Sequence, residues 1–331
     1  MKILITGHQG YIGSHLTRIL KDAGHHVTGC DLRLFQACEW QKLPEADNTL
    51  IKDFRDLTRQ ELDGIEAICH LAGISNDPMG DLDSKITKAV NETGTIELAK
   101  LAKSAGVKHF LFSSSCSIYG TSNQETVSEN GNLNPISAYA ESKINAELEL
   151  SKLASDSFSP VYLRNATAYG DSPCFRIDLV INNLIASGVL NEHINVLSDG
   201  TPWRPYIHCE DIAIAFKVII DSPELDTHNK AINIGSNSEN FQVKDIAQCV
   251  QNELPNATLT VGSMKHNDPR DYKVNFDLLA ELLPSFSLKH SVHSGIAALS
   301  NTVSKKMNKQ DWDKKRFVRL HQLTKNINLL S

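Results

Sequence analysis

"TGHQGYIG", residues 6–13, sets Gly7, Gly10 and Gly13 directly behind the apolar run "KILIT" at residues 2–6. The run reads as a buried strand, and "YIGSHLTRILKDAG" (11–24) carries apolar residues at helical spacing. Strand, glycine loop and helix in that order let an anion approach the backbone, where a Cβ would obstruct it. The freed N–H groups and the positive end of the helix dipole then suit a pyrophosphate. A second strand, "HHVTGCD" (25–31), ends in Asp31. A carboxylate there accepts hydrogen bonds from both hydroxyls of an adenosine ribose and repels a 2′-phosphate. The expectation is therefore NAD, with NADP less favoured; Arg33, two residues on, softens that preference. The bland alternative is a tight turn with an N-capping acid nearby, and strand, triplet and acid in register argue against it.

The alternation continues downstream. "NTLI" (48–51), "EAICHLAG" (66–73), "HFLFSSS" (109–115) and "VYLRNA" (161–166) read as strands. Residues 84–106 and 137–154 read as helices, with Gly24 and Gly106 placed as C-caps. Strands apolar enough to be covered on both faces imply an α/β, Rossmann-type doubly wound parallel sheet. After about residue 167 turns, basic residues and aromatics mix, which suits a smaller mixed α/β substrate lobe. The expected division is a dinucleotide-binding domain over 1–167 and a mainly substrate-binding lobe over 168–331. "CEDIAIAFKVIIDS" (209–222) and "KAINIGS" (230–236) read as another helix and strand, so about 207–236 rejoins the first domain.

Bulk composition narrows the class. The chain has 331 residues, 41% hydrophobic and 22% charged, as in a globular protein. A net charge of −6, spread along the chain, gives no electrostatic case for nucleic acid or an anionic membrane surface. No run approaches the ~18 apolar residues of a membrane helix, and "MKILITGHQG" lacks the apolar core of a signal peptide. Seven scattered cysteines fit reduced thiols and a cytoplasmic protein. The histidines lack metal-ligand spacing, so no metal is expected, and His70 reads as a strand residue.

"SAYAESK" (137–143) places Tyr139 and Lys143 one helical turn apart. Alone, that spacing describes many exposed helix faces. A free phenol has a pKa of ~10, so a base near neutrality needs a depression worth ~4 kcal/mol. One ammonium ~4 Å away supplies ~1 kcal/mol in water and ~4 kcal/mol at an effective dielectric near 20. A phenol acidified this way requires a site partly closed to solvent.

Taken together, "TGHQGYIGSHL", "KDFRD", "HLAG", "FLFSSSCSIYG", "YAESK", "LRNATAYG", "WRPYIHCEDIA" and "DPRDYKVNFD" carry a resemblance. The chain resembles the extended short-chain dehydrogenases/reductases that modify nucleotide-sugars, of which UDP-glucose 4-epimerase is the familiar member. The resemblance implies that Gly7, Gly10, Tyr11, Ile12, Gly13, Asp31 and Leu32 hold the cofactor. Asp53 and Phe54 would border the adenine, and Leu71, Ala72 and Gly73 would line the cofactor cleft. Ser115, Tyr139 and Lys143 fall on the catalytic positions. Tyr139 would take a proton from a sugar hydroxyl, O4 in the favoured reading, while the C4 hydride moves to NAD⁺. Ser115 would orient that oxygen, and Lys143 would also hold the nicotinamide ribose.

On the substrate side the resemblance implies a nucleoside diphosphate-sugar gripped by Arg204 and Arg270, with Asn183 near the phosphates. Tyr206, with Trp203, would pack on the base or ribose, and Arg176 is a further cation. Ser75 and Thr167 also face the substrate. Ser75 stands where UDP-glucose 4-epimerase has a lysine, and Thr167 where it has an asparagine. Cys116 and Ser117 stand where 4,6-dehydratases carry an Asp-Glu pair and decarboxylases a Glu, which argues against both reactions. Epimerisation is the favoured reading. The alternative is a C4 reductase that consumes NAD(P)H with a 4-ketosugar, and a third is a non-catalytic dinucleotide-binding regulator. The resemblance also implies a homodimer built through the helix near 84–105 and the one bearing Tyr139.

Overall fold

The computed structural model describes residues 1–122, 125–222, 225–263 and 270–330, so the first two residues of "DPRDYKVNFD" lie outside the described residues. Its strands begin with β1 (Lys2–Thr6), β2 (His26–Asp31), β3 (Asn48–Ile51), β4 (Ala67–His70), β5 (His109–Ser115) and β6 (Ser159–Asn165). They continue with β7 (Thr167–Tyr169), β8 (His193–Val196), β9 (Trp203–His208), β10 (Ala231–Ile234), β11 (Asn240–Gln242) and β12 (Thr258–Val261). Helices α1 (Gly13–Asp22), α2 (Asp77–Gly80), α3 (Ser84–Lys88), α4 (Thr95–Ala105), α5 (Ala138–Leu153) and α6 (Val180–Asn191) fall in the first 200 residues. The others are α7 (Cys209–Asp221), α8 (Val243–Glu253), α9 (Asp277–Leu282), α10 (Val292–Lys306), α11 (Lys309–Asp313) and α12 (Arg319–Asn326).

Seven strands form one sheet in the order β3-β2-β1-β4-β5-β6-β10, every neighbouring pair parallel. This is a Rossmann-type sheet whose strand order reverses between β1 and β4, and a crevice opens at such a point. Alternation along β1 shows how it is covered. Ile3 and Ile5 enter the core shared with Leu16 of α1 and Phe216 of α7, whereas Leu4 faces Leu98 of α4 and Leu150 of α5. Both faces are therefore apolar, which is why "KILIT" and "AICH" read as continuous buried runs. α7 packs on α1, and β10 closes the edge beside β6, so the chain returns to this domain after its excursion.

The second lobe pairs a three-stranded sheet, β11-β9-β7, with the two-stranded β12-β8. Its separate core joins Ile185 of α6, Ala247 of α8 and Leu299 of α10. Two features depart from expectation. The helix read over 84–106 continues through a π turn at Ala89–Gly94 between α3 and α4. The final helix α12 leaves the lobe assigned to 168–331 and buries Leu323 against the first domain.

Candidate active site

The cleft lies across the carboxyl ends of the parallel strands. After β1 the chain turns through Gly7 at φ +75°, where a Cβ would sit 2.8 Å from the Ala72 amide nitrogen. A Cβ on Gly13 would meet the Gly7 carbonyl oxygen at 2.0 Å. Glycine is thus required by the backbone's approach to itself, and the loop backbone remains open to the cleft. This is the cradle that a dinucleotide pyrophosphate fits. At the end of β2 the Asp31 carboxylate accepts from the backbone N–H of Gln9 (3.1 Å) and Arg33 (2.7 Å). The Arg33 guanidinium is drawn to Glu39 at 3.5 Å, which leaves Asp31 as the charge at the ribose position and favours NAD.

The cleft wall brings together Gly7, Gly10, Tyr11, Ile12, Gly13, Asp31, Leu32, Asp53, Phe54, Leu71, Ala72, Gly73, Ser75, Ser115, Tyr139, Lys143, Thr167, Arg176 and Arg270. Ser115 ends β5 and accepts from the Ser117 amide at 3.1 Å. Ser137 caps α5 by accepting from the Ala140 N–H at 3.1 Å, which starts the helix so that Tyr139 and Lys143 share its inner face. Lys143 is 6% exposed; its Nζ donates to the Ser113 carbonyl at 2.8 Å and lies 5.7 Å from the Tyr139 ring centroid. Behind it, Glu147 and Arg164 form a buried ion pair at 2.7 Å.

The electrostatics correct one expectation. Burial pushes the Tyr139 phenol up to about 12; Asp77 pushes the same way, while Ser115 and Arg176 oppose it. Burial also brings Lys143 down to about 7 against the pull of Glu147. At the phenol, burial therefore outweighs the lowering contributions of Ser115 and Arg176. NAD⁺, when bound, supplies a further positive charge and the acceptor for the substrate's hydrogen. Lys143 is thus largely screened from solvent, while the Tyr139 side chain stays partly exposed on the cleft wall.

Two arginines in the wall are each held by an aspartate. Arg176 pairs with Asp178 at 2.8 Å and donates to Ser75 Oγ at 3.0 Å; Arg270 pairs with Asp77. Three expected substrate residues lie elsewhere. Arg204 is buried beneath the wall, with its guanidinium 5.4 Å from the ring centroid of Tyr272, which does line the cleft. Tyr206 is fully buried in the second lobe's core. Asn183 is exposed on α6, and one position of helical rotation explains it: neighbouring Asn182 faces inward, donating to the Tyr11 oxygen at 3.0 Å and the Arg176 carbonyl at 2.7 Å.

Further residues shape the cleft. Asn91, in the π turn, binds the Ile74 backbone through both its amide oxygen (2.8 Å) and its amide nitrogen (2.9 Å), fixing the segment after β4. Its signal was a polar residue inside an apolar helical stripe. Asn165 and Ser117 also face the cleft, each with a buried oxygen that has no hydrogen-bond partner among the described residues. Cys116 is buried, donates to the Arg164 carbonyl at 3.1 Å and has its thiol pushed well up by burial, so it packs rather than reacts. Away from the cleft His208, Glu210 and His290 converge, a cluster that sequence spacing did not foretell. Arg18 (2.7 Å) and Lys289 (3.1 Å) already neutralise the Glu210 carboxylate, so the cluster is an ion-pair network.

Comparison with known proteins agrees with this geometry. The NAD dependent epimerase/dehydratase family matches residues 3–235. A Bacillus subtilis protein described as an uncharacterized UDP-glucose epimerase is 29% identical over 320 residues, covering 91% of this chain and 98% of its own. UDP-glucose 4-epimerase of the same organism is 30% identical over 268 residues, covering 71% and 78%. The solved structure of MoeE5 in complex with UDP-glucuronic acid and NAD superposes with a TM-score of 0.80 at 25% identity, over 93% of this chain and 100% of that one. The family model spans most of the parallel sheet and the cleft lined by Gly7, Asp31, Ser115, Tyr139 and Lys143, and the chain belongs to the NAD dependent epimerase/dehydratase family.

Proposed function

We propose that the protein is an NAD-dependent epimerase that inverts C4 of a nucleoside diphosphate-hexose through transient oxidation. The observation that carries the reading is the convergence of Ser115, Tyr139 and Lys143 on one cleft with the glycine loop. Tyr139 takes the proton of the sugar O4 and later returns it. Ser115 hydrogen-bonds that oxygen, and Lys143, anchored on the Ser113 carbonyl, places a positive charge beside the phenol when it is protonated. Arg176 and Arg270 exchange their aspartate partners for the substrate's diphosphate, a geometry to which guanidinium forks are suited. Relatives described as UDP-glucose epimerases support uridine as the base.

Supporting the division of labour, residues 1–167 with 207–236 build the cradle, while the second lobe supplies Arg176 and Arg270. No helix among the described residues is long and apolar enough to cross a membrane, which accords with a cytoplasmic enzyme. A homodimer through the helical stretch 84–105 and α5 is part of the reading, supported by Leu148, 57% exposed on α5. The function is tested by incubating the purified protein with UDP-, GDP- and dTDP-hexoses without added cofactor. Interconversion of C4 epimers is expected. Silence until both a 4-ketosugar and NADPH are supplied would establish the reductase instead.

A further inference from the structure

The end of the chain lies over the cofactor side of the cleft. Arg316 donates to the carbonyls of Ala37 (2.9 Å) and Glu39 (2.7 Å), and Asn326 to that of Leu34 (2.7 Å). Arg55, beside Asp53 and Phe54, donates to the Leu330 carbonyl at 2.9 Å. These bonds tie residues 316–330 to the two segments that follow β2 and β3, where the adenosine end is expected. Leu323 and Leu330 are buried and form part of the cleft wall, and α12 reaches α2, which itself abuts Tyr139. This stretch lies beyond residues 3–235, the part matched by the family.

Arg319 gives the stretch its chemistry. It lines the cleft yet is only 3% exposed, with its guanidinium 4.1 Å from the Phe35 ring centroid. Nη2 donates to the Cys174 carbonyl at 3.2 Å, whereas Nε is buried with no hydrogen-bond partner among the described residues. A buried cationic N–H left without an acceptor is costly, and a phosphate oxygen would satisfy it. Two nucleoside diphosphates enter this cleft, the dinucleotide and the substrate. Phe35 and Leu34 continue directly from Asp31, so the dinucleotide is the nearer.

We propose that α12 is a strap across the cofactor cleft, in which Arg319 supplies a cationic donor to the anionic backbone of the dinucleotide and keeps it bound between turnovers. The inference rests on the NAD-binding reading and deepens it. An enzyme that restores its cofactor in every cycle tolerates such a strap; a reductase, which must exchange cofactor at each turnover, is slowed by it.

The test uses the full-length protein loaded with NAD, passed through gel filtration and then diluted into NAD-free buffer, with retained NAD measured after acid release. Wild type is expected to keep its NAD through the column. Arg319→Gln should lose it at least about tenfold faster, the loss of one charge-assisted hydrogen bond, and Arg319→Lys should restore part of the retention. Asn326→Ala, at a partly exposed position, should also speed the loss; it carries the test alone if Arg319→Gln melts early. UDP affinity, measured by calorimetry, should be the same in all. Equal rates of NAD loss in wild type and Asn326→Ala overturn the proposal, as does a fall in UDP affinity with NAD retention unchanged. A failed epimerase reading looks different: NAD is held as described while no sugar nucleotide is converted.

Discussion

In the proposed reaction, Tyr139 is the residue on which the chemistry turns. Replacing it with Phe removes one oxygen from a wall otherwise kept intact, so NAD binding should persist while turnover falls by about 10²–10⁴-fold. Progress curves with sugar nucleotide, set beside the NAD content of the same preparation, check both halves. His70 makes a second prediction at this scale. Its ring is buried between the hydroxyls of Thr6 (2.7 Å) and Thr95 (2.9 Å), and burial, aided by the Lys143 charge, brings its pKa down to about 3. The unfolded chain therefore takes up a proton below about pH 6.5 that the fold refuses until near pH 3. Stability from this group is full above that window and is lost as pH falls through it, at about 1.4 kcal/mol per pH unit. Urea midpoints measured from pH 7 to 4 should fall less steeply in His70→Gln, which keeps hydrogen-bonding capacity without titrating. The placement of Tyr139 and Lys143 on one cleft wall was legible in the sequence from their spacing and family context. Their protonation was not, because burial dominates both groups and a helical spacing carries no information about burial.

Among the elements, the glycine loop and α5 bear most of the site. Gly13→Ala places a methyl 2.0 Å from the Gly7 carbonyl, backbone against backbone, so the loop must open. The expected result is loss of NAD binding, read by calorimetry, with the far-ultraviolet spectrum of the sheet and helices retained. On α5, one turn beyond Lys143, Glu147 is held by Arg164 and accepts from the Ser114 hydroxyl. Glu147→Gln leaves a buried guanidinium without its counter-charge, which should cost about 3–5 kcal/mol in denaturant unfolding. Strand–loop–helix order was readable for β1, β2 and β5 because their apolar runs end at glycine, aspartate or serine. The π turn at Ala89–Gly94 was not; within it Asn91 bonds to Ile74, a contact between segments distant in sequence. Likewise Asn182 and Asn183 are chemically identical in sequence, and only the rotation of α6 decides which one faces inward.

The whole molecule is a parallel sheet with a cleft at its point of reversal, and the second lobe adds Arg176 and Arg270 to the cleft wall. The return of the chain to the parallel sheet at β10 was readable from "KAINIGS". The return of α12 was not, because an amphipathic helix specifies an apolar partner but not which one. What the assembled molecule does is settled by the path of the hydrogen at C4. UDP-hexose deuterated at C4 should be offered in ordinary water without added cofactor, and the products examined by mass spectrometry and proton NMR. The account predicts C4-inverted product that keeps its deuterium on C4, because the hydrogen leaves and returns within one closed site. Inverted product with deuterium lost to solvent, or no inversion with NAD bound and Tyr139 intact, would contradict it.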